Sequence, residues 1–273
     1  MFEPDRFMQR LKGPPLLMGV VNVTPDSFSD GGCYAEPETA AAGAAMLAAE
    51  GADIIDVGGE STRPGHTPLP LDEELARILP ALDMMAARDL PPISIDTYKA
   101  ETARQALAHG AVILNDVWGF QRDPGMAALA AKTGAPVICM HNRSAVDPDI
   151  DIVADVCGFL SRSLEIARRA GVREDRIILD PGFGFGKSFE QSLALLRGLD
   201  RVAALGFPLL VGVSRKGFIG QYSGEPVAEA RLAGTLAANL LAAAAGHAAI
   251  IRVHDVRPHR QMLDFLQAYR TVQ

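Results

Sequence analysis

The chain predicts an α/β fold, a single (β/α)8 TIM barrel with long loops after strands 1 and 2. Three observations carry that prediction. Short apolar runs rich in Val, Ile and Leu end in a polar residue eight times: LLMGVV at Asn22, ADII at Asp56, PPISI at Asp96, AVIL at Asn115, APVICM at His141, DRIIL at Asp180, PLLVGV at Ser214 and AAII at Arg252. Continuous apolar runs of this kind suit parallel strands covered on both faces. Successive run ends lie 19 to 40 residues apart, room for a strand, two loops and a helix. Finally, four helical stretches stop at a glycine just ahead of an apolar run: Lys99 to His109 at Gly110, Pro124 to Thr133 at Gly134, Ile152 to Ala170 at Gly171, and Phe189 to Leu205 at Gly206. That is the chemistry of a helix-to-strand connection. In such a barrel the residues at the carboxyl ends of the strands form the active site.

The remaining elements follow in order. Pro37 to Glu50 is nearly all Ala, with Met46 and Leu47, and Gly51 stands at its natural stop. Leu71 to Arg88 opens with Asp72, Glu73 and Glu74, carboxylates that favour a helix N-terminus. A last helix, about Pro258 to Thr271, closes the barrel. The Ala-rich stretch from Ala228 to Ala249 is interrupted by Arg231, Asn239 and His247, so it reads as a packed helix running into the last strand rather than a membrane span. On the opposite face the segments TPDSFSDGGCYAEP and GGESTRPGHTPLP follow the first two strands. They are rich in Gly, Pro and hydroxyl residues and read as loops that cover substrate.

Composition narrows the class. The 273 residues show no Pro/Ser-rich linker and no charge run, so residues 1–273 read as one domain, and 48% hydrophobic residues suffice for a large core. A net charge of −7 argues against a general nucleic-acid or membrane-surface binder, though not against a small anionic substrate held in a locally cationic cleft. The opening MFEPDRFMQRLKG carries acidic residues and no apolar stretch, unlike a signal peptide. Cys33, Cys139 and Cys157 are odd in number and lack CxxC spacing. That pattern fits a reduced cytoplasm and neither a disulfide framework nor a zinc site.

Five motifs, MGVVNVTPDSFSDGG, GGESTRPG, DPGFGFGK, GVSRKGFIG and RVHDV, stand in register on the barrel period from about Met18 to Val256. In this order and spacing the chain resembles the dihydropteroate synthase family of pterin-binding enzymes. The resemblance implies condensation of 6-hydroxymethyl-7,8-dihydropterin pyrophosphate with p-aminobenzoate, giving 7,8-dihydropteroate and pyrophosphate. It also implies a folate-pathway enzyme of the cytoplasm, a homodimer, an Mg²⁺ cofactor and a target for sulfonamides.

The residues can be asked whether they suit that reaction. One carboxylate can accept the N–H and amino group that the pterin edge presents side by side, and Asp180 resembles the family's residue for it. Asn115 offers a donor and an acceptor to a neighbouring ring position. Lys216 resembles the donor to the pterin carbonyl and ring nitrogen, and Asp96 a contact near the reacting carbon. Asp56 reads equally as a structural carboxylate behind the site and as a contact within it. Arg252 and His254 are two residues apart, so strand alternation points them the same way. With Asn22 they resemble the residues around the pyrophosphate, and Asn22 resembles the Mg²⁺ ligand. Thr62, Arg63 and Pro64 resemble the p-aminobenzoate loop, with Thr62 also near the pyrophosphate and Arg63 assisting the leaving group. Phe28 and Phe185 offer aromatic surface, and for Phe28 packing and binding stay open. The implied mechanism is dissociative: the C–O bond breaks first, and the pterin cation is then trapped by an uncharged amine. Ser27, Ser29 and Ser61 lack a nucleophile elbow, so no covalent route is expected.

The chain departs from the family pattern in two places. Gly217 stands where the family often has Ser after the SRK triplet, and MHNRS replaces a commoner Met-His-Met-Gln-Gly pattern after the fifth strand. His141 is accordingly given no catalytic role, and Lys187 of GFGK is read as an ion-pair residue outside the core set. Met140 reads as pocket lining or core and Trp118 as loop packing. His109 and His247 sit at helix ends. Two competing readings are a pterin-binding methyltransferase serving a corrinoid and a non-catalytic pterin-binding protein. The first should lack the STRPG loop and the cluster running from SRK to RVH.

Overall fold

The structure, a computed structural model, describes residues 2–23, 37–60 and 68–272. Its first element, absent from the expectation above, is helix α1 (Pro4–Arg10). Pro4 sits in its first turn, where a missing N–H costs no helical hydrogen bond. The barrel follows as β1 (Leu16–Asn22), α2 (Pro37–Ala49), β2 (Ile54–Gly58), α3 (Leu71–Ala86), β3 (Ile93–Asp96), α4 (Ala100–Ala108), β4 (Ala111–Asp116), α5 (Pro124–Thr133), β5 (Val137–Met140), α6 (Ile152–Ala170), β6 (Ile177–Asp180), α7 (Phe189–Arg197), α8 (Leu199–Ala203), β7 (Leu210–Val211), α9 (Gly217–Ser223), α10 (Leu232–Ala244), β8 (Ile250–Val253) and α11 (Val256–Thr271).

The helix bounds expected from sequence hold to within two residues except at one place. Phe189 to Leu205 is two helices, because Gly198 packs against the Val153 methyls and the chain turns there. The last helix starts at Val256 instead of Pro258, since Pro258 fits within a first turn. Caps fix several starts. The Asp151 carboxylate accepts from the N–H groups of Val153 and Ala154, and Ser188 forms a reciprocal capping box with Gln191. Among the described residues no helix is long and apolar enough to cross a membrane.

All eight strands run parallel in the order β6-β5-β4-β3-β2-β1-β8-β7. The ring closes between β6 and β7 by one bridge, Leu179 with Leu209, where the Leu179 N–H donates to the Pro208 carbonyl at 2.9 Å. Strand alternation divides the apolar runs between two cores. Met18, Ile54, Ile113, Ile138, Ile178, Leu210 and Ile250 form one buried cluster inside the barrel. Their chain neighbours Leu17, Ile55, Leu114, Cys139, Leu179, Val211 and Ile251 belong to the second cluster, beneath the helices. Both faces are thus apolar, which is why the runs carry no polar alternation.

Phe7 and Leu11, one helical turn apart, join the inner cluster with Leu16, so α1 closes the barrel at the amino ends of the strands. Phe7→Ala should destabilise the protein by about 3–5 kcal/mol, the usual cost of a large cavity. Urea denaturation would show this as a lower midpoint at unchanged slope, with ligand affinity at the opposite face preserved in the folded protein.

Candidate active site

The alternation that fills the barrel interior also builds the site. Continuing each inner row toward the carboxyl end leads from Ile54 to Asp56, Ile113 to Asn115 and Val117, Ile138 to Met140, and Ile178 to Asp180. It also leads from Leu210 to Gly212 and Ser214, and from Ile250 to Arg252 and His254. Pairing sets their height, with Asp96 beside Asn115 and Met140 beside Asp180. The result is a pocket lined by Asp96, Asn115, Val117, Met140, Asp180, Phe185, Gly212, Ser214, Lys216, Arg252 and His254.

Arg252 holds the centre. Its Nε donates to Asp56 at 2.7 Å and its Nη2 to Asp96 at 2.9 Å. Asn115 Nδ2 donates to both Asp56 oxygens at 3.3 and 3.1 Å. Asp56 is wholly buried and does not line the cavity, so its place is behind the site, orienting Asn115 and Arg252. The same contacts leave the Asn115 side-chain carbonyl oxygen and three of the five Arg252 N–H bonds without a partner among the described residues.

Burial and the Asp56 charge push the Asp96 carboxyl up to about 7, against the pull of Arg252. Its Oδ1 is buried with no hydrogen-bond partner among the described residues. Asp180 Oδ1 accepts from the Gly182 N–H at 2.7 Å. Burial raises the Asp180 carboxyl too, opposed chiefly by the Lys216 charge. Lys216 is lowered to about 8 by burial, lies 4.6 Å from the centre of the Phe185 ring, and donates to the Phe183 carbonyl. Ser214 Oγ accepts from the His254 backbone N–H at 3.3 Å and lies 3.0 Å from Nδ1. Where the Ser214 O–H donates to Nδ1, the neutral ring carries its single proton on Nε2, which is then a donor.

The structure therefore gathers Asp96, Asn115, Asp180, Phe185, Lys216, Arg252 and His254 around one cavity. Asn22, at the end of β1 and half-buried, does not line it. Thr62, Arg63, Pro64 and Phe28 lie outside the described residues, as do Ser27, Ser29, Ser61 and Cys33. Val117 and Gly212 line the cavity without having been marked from sequence, their parity with Asn115 and Arg252 being the available signal, while Ser214 was marked only as a strand end. Trp118 does pack in its loop, against the Arg122 guanidinium, which also covers Tyr98.

The two ends of the segment 61–67 are described, and one lysine ties them. Lys99 Nζ donates to Glu60 at 2.6 Å, to the Leu69 carbonyl at 2.7 Å and to Glu74 at 2.8 Å. Thr97 and Thr102 also donate to Glu74, at 2.8 and 3.0 Å. A comparable cluster lies behind the loop after β6. Lys187, read from sequence as an ion-pair residue, is buried there against His141, and the carboxylate of the group, Asp155, bonds His141 and Arg143 instead.

Comparison with known proteins agrees with this geometry. The sequence model of the pterin binding enzyme family matches residues 18–254. The dihydropteroate synthase of Bacillus subtilis is 44% identical over 257 residues, 94% of this chain and 89% of its own length. The solved dihydropteroate synthase of Xanthomonas albilineans with 4-aminobenzoic acid superposes with a TM-score of 0.91 at 44% identity, covering 96% of this chain and 95% of the other. The same species' enzyme in complex with 7,8-dihydropteroate gives 0.87 at 42% identity, covering 96% of each chain. This chain belongs to the pterin-binding enzyme family, among its dihydropteroate synthases.

Proposed function

We propose that the chain condenses 6-hydroxymethyl-7,8-dihydropterin pyrophosphate with p-aminobenzoate to give 7,8-dihydropteroate and pyrophosphate, with residue roles as follows. The observation that carries the reading is one cavity with a buried carboxylate, Asp180, on one side and two cationic or proton-donating groups, Arg252 and His254, on another. Asp180 accepts from the pterin N–H and amino group together. The Asn115 side-chain carbonyl, turned outward because its amide is held by Asp56, accepts from a further ring position. Lys216 donates to the pterin carbonyl and ring nitrogen. Arg252 and His254 meet the pyrophosphate, and Phe185 faces the aromatic ring of p-aminobenzoate with Phe28, Thr62, Arg63 and Pro64.

In the reaction the C–O bond breaks and its electron pair leaves with pyrophosphate. The amine lone pair then forms the C–N bond, and the amine gives up a proton. Arg252 N–H groups stabilise charge developing on the leaving oxygens. Asp96, next to the same guanidinium, places negative charge beside the pterin cation once it is ionised. Among the described residues no three His, Cys, Asp or Glu side chains are arranged to hold a metal ion. One neutral oxygen, from Asn22, suits an Mg²⁺ whose other ligands are phosphates and water, and Asn22 is the residue we assign to it. When bound, the ion would supply charge neutralisation to the leaving group.

The p-aminobenzoate pocket would be the site of sulfonamide competition. A cytoplasmic location is supported by the free thiols of Cys139 and Cys157. A homodimer is supported by apolar side chains exposed on the adjacent helices α10 and α11: Leu241 at 65%, Phe265 at 73% and Tyr269 at 74%. Sedimentation should give twice the chain mass for the parent and the monomer mass for Phe265→Asp.

Pyrophosphate release should require both Mg²⁺ and p-aminobenzoate and yield dihydropteroate. Asp180→Asn should weaken binding of the pterin substrate about 30- to 100-fold by calorimetry, the scale of a charge-assisted pair of hydrogen bonds. Binding of the pterin substrate without any turnover would replace the synthase with a binding protein.

Asp96 also predicts a stability trend. Its folded value near 7 lies above its ordinary 3.8, so between those values the native state holds more protons than the unfolded chain. Its contribution to stability therefore falls as pH rises through that window. Asp96→Asn, which does not titrate, should gain stability relative to the parent as pH rises from roughly 4 to 7, at up to about 1.4 kcal/mol for each pH unit crossed. Thermal melts of both proteins across that range would show a constant difference if Asp96 titrates normally.

A further inference from the structure

Behind the loop that follows β6 lies a buried polar group that the reaction does not use. Lys187 is 5% exposed and His141 is wholly buried. The Lys187 ammonium has three N–H bonds, and three acceptors surround it: His141 Nδ1 at 2.7 Å, the Gly182 carbonyl at 2.7 Å and the Phe185 carbonyl at 3.1 Å. Since Nδ1 accepts, the His141 proton sits on Nε2, which donates to Asp155 at 3.0 Å. Asp155 also accepts from Arg143 at 2.9 Å. Each Lys187 N–H bond thus has an acceptor and both His141 ring nitrogens have a partner, contacts that oppose the burial which pushes the Lys187 ammonium well below its usual range. Burial and the Lys187 charge keep His141 neutral, at about 3.

The backbone is shaped to this ammonium. Gly182 has φ +67° and Gly186 φ +57°. A Cβ at Gly182 would collide with the His141 carbonyl oxygen, and one at Gly186 with Arg143. Residues 182–186 thus curl around Lys187 Nζ and press on the segment after β5. The same curl presents the substrate-facing groups. The Gly182 N–H fixes Asp180 Oδ1 at 2.7 Å, the Phe183 carbonyl receives Lys216, and the Phe185 ring lines the cavity.

We propose that Lys187, seated on His141, is a positioning residue that sets the orientation of Asp180 and Phe185 by gathering the Gly182 and Phe185 carbonyls at one buried point. It touches no substrate and acts only through the loop. The proposal rests on Asp180 being the pterin acceptor. Replacing Lys187 by an uncharged side chain leaves two carbonyls and one imidazole nitrogen without their donor, and the loop can recover them only by opening to water. Asp180 then loses the Gly182 N–H that aims it.

The test is calorimetry with 6-hydroxymethyl-7,8-dihydropterin pyrophosphate, well below the melting temperature, on the parent, Lys187→Met, His141→Ala and Asp180→Asn. Steady-state constants for both substrates accompany it. Lys187→Met should weaken pterin binding at least 10-fold and raise KM for both substrates. His141→Ala, which keeps the ammonium and two of its acceptors, should show a smaller loss in the same constants and carries the test if Lys187→Met does not fold. Normal affinity and KM in the folded variants, with only a lower melting temperature, would make Lys187 a purely structural residue and overturn the proposal. Unchanged binding in Asp180→Asn would instead remove Asp180 as the pterin acceptor, and the proposal with it.

Discussion

The contact of Arg252 with Asp56 and Asp96 is the constraint on which the rest of the site depends. Three strands deliver these side chains into the mouth of the barrel, where little water remains to solvate charge. Two carboxylates so placed could not both ionise without a cation between them. The planar guanidinium answers both at once through different nitrogens, and its rigid fork fixes the angle between the two carboxylates. The compensation is incomplete, since one cation faces two anions with Asp180 close by, and the deficit falls on Asp96. Removing Arg252 would strand both carboxylates, so the residue we assign to the leaving group also keeps the site assembled.

Much of the fold was legible in the sequence because its physics is local. Eight apolar runs, glycines at helix ends and carboxylates in a first turn each reflect one segment's own requirements. Helix α1 escaped notice because seven residues hold too little periodicity to be told from a polar terminus; its role appears only when Phe7 joins the buried cluster inside the barrel. The break at Gly198 escaped because its cause, Val153, lies on another helix.

Candidate site residues were legible in proportion to their chemistry. Asn115, Asp180 and Arg252 stand where an apolar run ends, and such a position is costly to fill with a polar group unless something uses it. Val117 and Gly212 line the same cavity but carry no chemical mark, so only strand parity could have found them. Asp56 was ambiguous for a related reason: a carboxylate at a strand end is the same in sequence whether it faces a ligand or braces the residue that does. Lys187 and His141 were set aside singly because a buried pair is a property of two segments, 46 residues apart. Lys99 and Lys187 serve alike here, each satisfying three acceptors and drawing together backbone that would otherwise have only loop geometry to hold it.

The junction of β6 with β7 has a mechanical meaning. Everywhere else neighbouring strands share two or more rungs, but here a single bridge closes the circle, so the barrel is a split ring. Asp180 stands on one lip of the split and Lys216 follows from the other, linked across it through the Phe183 carbonyl. A pterin gripped by both side chains would act as a clasp, supplying the rungs that the sheet omits. On the roles proposed above, the substrate would form part of the hoop that holds the barrel shut at its one-bridge junction.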